Sequence, residues 1–216
     1  MTAAKRVIDI VVAATGLAIS AAIVLPTAIA LRWSTRAPAL IRQERAGIDG
    51  RAFMLLKLRT MTNTRDTDGR LLPDDDRLTR LGRVVRTLSI DELPQLLNVL
   101  RGEMSIVGPR PLPVIYDRLY TPRERNRLRV RPGLTGWAQI NGRQRISFSQ
   151  RLELDAWYVE HRSLLLDLKI MLLTIPRLLG GTDVMAGQDV RAVDDRGFGE
   201  LFREYQAADD RRQRPA

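Results

Sequence analysis

Asp91 and Glu92 stand side by side in the run from Arg86 through Ser89, Leu93, Pro94 and Gln95 to Leu96. Two adjacent carboxylates can divide a task. Neighbouring residues on a helix point about 100° apart, so one can attack phosphorus while the other orients a metal or a proton. Facing a diphosphate, the pair repels it unless cations intervene. Magnesium, held by one or two carboxylates and phosphate oxygens, supplies such charge. Arginine supplies the rest, because its planar fork matches phosphate oxygens. The candidates are Arg59, Arg86, Arg110, Arg131 and Arg143, with Lys57 beside them; any one arginine, taken alone, reads better as a solvated charge or a lipid-headgroup contact. Arg110 stands out because Pro109 and Pro111 restrict the backbone around it. A non-catalytic account competes. Ser89-x-x-Glu92 fits a capping box, and acidic residues in a first helical turn complement the dipole. The same helix start would keep Asp91 ionised, as a nucleophile must be.

Upstream, Ile10 to Leu31 contains no charged residue. About 20 apolar helical residues suffice to cross the hydrocarbon layer. A cleaved signal peptide is opposed by the length of the stretch, since such apolar regions run about 7–15 residues, and by the arginines that follow it. A spanning helix and a re-entrant hairpin both remain. Positive charge marks the cytoplasmic side, and here both flanks are positive, with Lys5 and Arg6 before and Arg32, Arg36, Arg42 and Arg45 after. Pro26 offers a bend, and Trp33 sits where an interfacial anchor is expected. A carboxylate–arginine site suits a phosphorylated substrate, and the apolar start suits a lipid.

Composition narrows the classes. The formal net charge of +10 favours an anionic partner. The absence of cysteine excludes disulfides and thiolate zinc sites, and a single histidine, His161, leaves no basis for a histidine triad or a His-rich metal centre. Aromatics at 5% weaken the case for a base-stacking surface. No Walker motif or dinucleotide glycine fingerprint is present.

The elements that must position the acidic pair are legible in outline. Ala46-Gly47 and Asp49-Gly50 are turn signals before the strand-like Ala52 to Leu56, giving a small hairpin within 37–62. Arg65 to Asp76 is a polar loop, and Leu78 to Arg86 a short basic helix. Ser89 starts a helix with Leu93, Leu96, Leu97 and Leu100 on its apolar face, ended by Gly102. Met104 to Val107 is a strand entering the Gly108-Pro109-Arg110-Pro111 turn. Thr121 to Arg131 is basic and helical, Arg131 to Arg143 loop-like, and Gln150 to His161 helical. Leu164 to Leu179 is apolar but broken by Asp167, Lys169, Pro176 and Arg177, as in an amphipathic helix lying in the membrane interface. The residues from 187 onward form a polar tail or a loosely packed terminal helix.

Several of these blocks, in this order, resemble the bacterial sugar transferases, the monotopic phosphoglycosyl transferases. They are Lys5-Arg6-x-x-Asp9; Arg42-Gln43-x-Arg45-x-Gly47; Lys57-Leu58-Arg59-Thr60-Met61; and Thr79-Arg80-x-Gly82-Arg83-x-x-Arg86. Then come Asp91-Glu92-Leu93-Pro94-Gln95-Leu96-x-Asn98-Val99-Leu100, Ser105 to Pro111, Arg131 to Gly136, Gln139 to Arg143, Asp155, Tyr158 and Asp167. The resemblance implies transfer of a sugar 1-phosphate from a UDP-sugar to undecaprenyl phosphate, with release of UMP and with Mg2+ as cofactor. It also implies a re-entrant helix on the cytoplasmic face of the inner membrane, and it favours the hairpin. It assigns the nucleophile to Asp91 and a catalytic or metal-binding role to Glu92. It places Lys57, Arg86, Arg110 and Asp167 at or near the site. Members often carry Ser-Pro at the membrane bend, where this chain has Leu25-Pro26.

The expected fold is thus α/β or α+β, with mostly short helices, one small sheet and an N-terminal helix-break-helix. The expected division is a membrane helix at 1–36, a catalytic domain at 37–186 and a tail at 187–216. The expected partners are a UDP-sugar, undecaprenyl phosphate and membrane lipids, with no nucleic acid. The sugar, the glycan pathway and the oligomeric state stay open. Two rivals remain: a nucleic-acid binder, which leaves the apolar segment unexplained, and a non-catalytic membrane-surface scaffold, indifferent to loss of Asp91 and Glu92.

Overall fold

The computed structural model describes residues 2–142, 146–179, 194–201 and 203–205. The apolar start is one helix, α1 (Ala3–Thr35). The Thr2 side chain caps it by accepting from the Lys5 N–H at 3.3 Å, and Arg36 ends it in the left-handed region at φ 53°. The expected helix-break-helix is not what forms: the helix runs through Pro26 without interruption. At ~1.5 Å per residue it is roughly 50 Å long, enough in length and composition to cross a membrane.

One stripe of α1 is docked on the rest of the protein from end to end. Asp9, Ala13, Ser20, Leu31 and Thr35 are buried on it. Lys5 pairs with Asp167 at 2.7 Å. Arg6 donates to the carbonyls of Val99 and Leu100 at 2.6 and 2.7 Å. Asp9 accepts from the Ser105 hydroxyl and the Ile106 N–H, both at 3.0 Å. Further along, Val24, Ala28 and Leu31 pack with Leu58, Leu81, Val85 and Ile90. The other faces leave Val7, Val11, Ile19, Ile23, Leu25, Ile29 and Trp33 exposed.

The expected hairpin is β1 (Leu40–Ala46) paired antiparallel with β2 (Ala52–Leu58). Its turn uses Asp49 and Gly50 at positive φ. A short helix α2 (Asp74–Arg77) interrupts the polar loop. The basic helix α3 (Arg80–Thr87) follows, capped by Thr79. The helix expected from Ser89 is divided. Ile90–Glu92 forms a single 3-10 turn, and α4 (Gln95–Arg101) begins only after Pro94. Gly102 ends α4 at φ 82°, as its glycine predicts.

Instead of one sheet there are two among the described residues, each of two strands. The second pairs β3 (Ser105–Val107) in parallel with β4 (Gly133–Thr135). β4 lies in the stretch expected to be loop. The glycines there serve close approach: a Cβ on Gly133 would sit 2.1 Å from the Gly108 nitrogen. The basic run expected as a helix is a 3-10 segment, Glu124–Arg129, with Arg127 and Leu128 buried. Then come α5 (Trp137–Asn141), α6 (Phe148–His161) and α7 (Leu164–Leu179). α6 carries a true capping box between Ser147 and Gln150. α7 exposes Leu165, Leu168, Leu172 and Ile175, as an amphipathic helix does. The described part of the C-terminal segment is seated, not loose. Phe198 is fully buried among Tyr116, Tyr120 and Phe148, and Arg196 pairs with Glu124.

Candidate active site

Three segments distant in sequence meet at the acidic pair. β2 brings Lys57, the 3-10 turn brings Asp91 and Glu92, and the turn after β3 brings Arg110. Lys57 Nζ lies 2.7 Å from Glu92 Oε1 and 3.7 Å from Asp91 Oδ2. Arg110 meets Glu92 with both prongs, at 2.6 Å from Nη2 and 3.4 Å from Nη1. Arg86, at the end of α3, donates to the Thr60 hydroxyl at 2.8 Å, and its charge reaches Asp91. α3 can lie this close to β2 because residue 82 is glycine, where a Cβ would stand 2.1 Å from the Thr60 carbonyl oxygen.

The turn holding the acids is not a capped helix start. Ser89 adopts φ 56°, ψ 21°, and its side chain caps nothing. That left-handed conformation costs a serine about 1–2 kcal/mol, and it turns the chain sharply after α3. The Glu92 side chain is taken by Lys57 and Arg110, so the capping-box expectation fails because long-range cations outbid a local N–H.

The two carboxylates are left in different states. Burial pushes Glu92 upward, but Arg110 and Lys57 outweigh it and hold the group well below the ordinary carboxylate range. For Asp91, burial dominates. Lys57 pulls it down and Glu92 pushes it up, and the net shift is upward. Asp91 is 7% exposed, and its carboxylate makes no hydrogen bond among the described residues. Glu92 is therefore a fixed anion organising two cations, while Asp91 has oxygens free for chemistry. No group of three or more potential metal ligands occurs among the described residues. Two adjacent carboxylates do fit a magnesium that draws its other ligands from phosphate and water.

A buried pair braces Arg110. Arg127 donates to the Arg110 carbonyl at 2.5 Å, to Asp155 at 3.1 and 3.3 Å, and to the Tyr120 hydroxyl at 3.0 Å. Sequence reading passed over Arg127 because it lies in a run of arginines. Its one distinguishing signal was Leu128 beside it.

Of the residues singled out from sequence, Asp91, Glu92, Lys57 and Arg110 come together, with Arg86 beside them. Arg59 instead donates to the Pro38 carbonyl and to Asn63. Arg131 donates to the Gly102 carbonyl at 2.5 Å, at the far end of α4. Asp167 is held by Lys5 and by the Tyr158 hydroxyl at 2.6 Å, under α1. Arg143 lies outside the described residues. Pro26 lies inside α1.

The model of the bacterial sugar transferase family matches residues 1–181. An uncharacterized sugar transferase, EpsL, of Bacillus subtilis is 47% identical over 197 residues, covering 91% of this chain and 98% of the relative. The UDP-glucose:undecaprenyl-phosphate glucose-1-phosphate transferase of Caulobacter vibrioides is 46% identical, covering 81% of this chain and 69% of that one. The exopolysaccharide production protein ExoY of Sinorhizobium fredii is 40% identical, covering 80% and 84%. With its acidic pair, its arginine turn and its apolar helix all inside the matched span, the chain belongs to the bacterial sugar transferase family.

Proposed function

We propose that this enzyme transfers a sugar 1-phosphate from a UDP-sugar to undecaprenyl phosphate, releasing UMP, with Asp91 as a covalent nucleophile. The observation that carries the reading is the division between the two acids: Glu92 is hydrogen-bonded to two cations, and Asp91 is buried with only the longer ion pair to Lys57 on its oxygens. The names of the relatives supply donor and acceptor classes.

In the first step an Asp91 oxygen attacks the phosphorus that bears the sugar. The bond to the bridging oxygen breaks, and UMP leaves with the electron pair. In the second step a phosphate oxygen of undecaprenyl phosphate attacks the same phosphorus and frees Asp91, a ping-pong sequence. Lys57, Arg86 and Arg110 face the charge that builds on the phosphoryl oxygens. Magnesium, when bound, would be held by Asp91 and Glu92 and would neutralise the diphosphate. Arg59, Arg131 and Asp167 keep the supporting contacts described above.

The reading keeps both ends of α1 on the cytoplasmic face, although the helix shows no break at Pro26. Its support is the docked stripe, which runs from Lys5 to Thr35 and leaves no undocked stretch to reach the other side. Both flanks are also basic. The chain has no cysteine, so Thr2→Cys and Arg36→Cys are clean reporters. Both should react with an impermeant thiol reagent from the cytoplasmic side only. Labelling from opposite sides would mean a spanning helix.

The decisive assay measures UMP release from a panel of UDP-sugars with polyprenyl phosphate and magnesium. Asp91→Asn should lower it by roughly 10³-fold or more and abolish a phospho-sugar adduct seen by mass spectrometry on the intact protein. UMP exchange persisting in Asp91→Asn would replace the covalent step with direct transfer.

A further inference from the structure

Arg45 is drawn into the protein with no carboxylate to meet it. Among the described residues its hydrogen bonds go to the Glu44 carbonyl at 2.8 Å and the Gln43 side-chain oxygen at 3.1 Å. The guanidiniums of Arg110 and of the buried Arg127 each have an acid, Glu92 and Asp155. The charge of Arg110 bears on both Arg45 and Arg151, and Asp155 bears on Arg151 but not on Arg45. Burial and the repulsion from Arg110 lower Arg45 to about 10. Among the described residues, the groups that bear on it with the opposite sign are the phenols of Tyr116 and Tyr205, and burial pushes Tyr116 away from ionisation. Arg45 is half-buried, and a cation withdrawn from water without a counter-charge is costly; a site keeps one when a ligand supplies that charge.

The hairpin register shows where that ligand lies. Ile41 pairs with Lys57 and Arg45 with Phe53, so Arg45 and Lys57 share one face of the hairpin, four residues apart. That separation is about 13 Å along the strand. The Arg45 side chain leans back along this face onto Gln43, toward Lys57. Arg110 lies between, one hand on Glu92 and its field on Arg45. The Ala46 N–H donates to the Leu112 carbonyl at 2.9 Å, tying the far end of β1 to the segment after Arg110. A line of cations therefore runs from the nucleophile along the hairpin.

We propose that Arg45, with Arg110 and Arg151, forms a second anion subsite that takes the donor phosphate remote from Asp91, the one that departs with the nucleotide. This rests on the donor being a nucleoside diphosphate sugar. A guanidinium suits the position because its fork binds phosphate bidentately, which a lysine cannot do.

The test titrates the full chain in nanodiscs with inorganic pyrophosphate and with UDP. Arg45→Gln should weaken both by tenfold or more, and Arg45→Lys should fall between it and the unaltered chain. Unchanged pyrophosphate affinity in Arg45→Gln overturns the subsite, even if Asp91→Asn kills turnover. Weakened pyrophosphate binding in a protein that turns over no UDP-sugar upholds the subsite and sinks the donor assignment. If Arg45→Gln does not fold, the unaltered chain still decides. Pyrophosphate should shield Arg45 from phenylglyoxal, read by peptide mass spectrometry, and an unshielded Arg45 rejects the proposal.

Discussion

Lys57 does two jobs at the residue scale: it pairs with Glu92 and it restrains the proton affinity of Asp91. The second has a measurable sign. A nucleophilic carboxylate works only when ionised, so activity is present above its folded pKa and lost as pH falls through it. Burial has raised that value, so the acid limb of kcat should lie above that of an unperturbed aspartate. Removing the positive charge with Lys57→Met should move the limb to still higher pH and lower kcat. An acid limb that stays in place would mean that Asp91 is not the titrating group. Arg127 offers a second test. It does not touch the acids but holds the carbonyl of the residue that does. Asp155→Asn, which weakens the brace while leaving Arg110 chemically intact, should lower kcat more than it raises KM. Arg127→Lys should restore little, because one ammonium cannot reach Asp155, Tyr120 and the Arg110 carbonyl together.

At the scale of elements, two sites with the look of helix caps behave differently, and the contrast shows what sequence can reveal. Ser147 and Gln150 form the reciprocal bonds of a capping box, so Ser147→Ala should destabilise by about 1 kcal/mol. Ser89 and Glu92 have the same spacing and form none. Ser89→Gly should therefore be neutral or stabilising, since glycine takes the left-handed conformation without penalty. A thermal melt of the two variants separates the cases. The local signal at Ser89 was genuine but lost to Lys57, 35 residues away in sequence. The hairpin, the stop at Gly102 and the run of α6 were legible because their causes are local: turn residues, a positive φ, apolar spacing. β4 was not. Gly133 serves there to let two backbones approach, and a glycine read alone signals a turn. Asp167 matched a family block, yet its partner Lys5 lies 162 residues away, beyond anything a window of sequence can show.

At the scale of the whole molecule, the described C-terminal residues lie outside the family match but are part of the body. Phe198 stacks on Phe148 at 4.7 Å and meets Tyr116 edge-on at 4.9 Å. Phe198→Ala should cost about 3–5 kcal/mol, seen as a lowered melting temperature. The acid limb should stay where it is, because the aromatic cluster does not contact Asp91.

The docked stripe of α1 carries Lys5, Arg6, Asp9, Ser20 and Thr35 as well as apolar side chains. Their partners lie as late as residue 167. During synthesis the helix emerges before these partners, and Lys5 and Asp9 must wait for later parts of the chain before their charges are answered. Completion of the fold therefore depends on α1 itself, and a generic hydrophobic helix grafted in its place would supply the apolar segment without completing the protein.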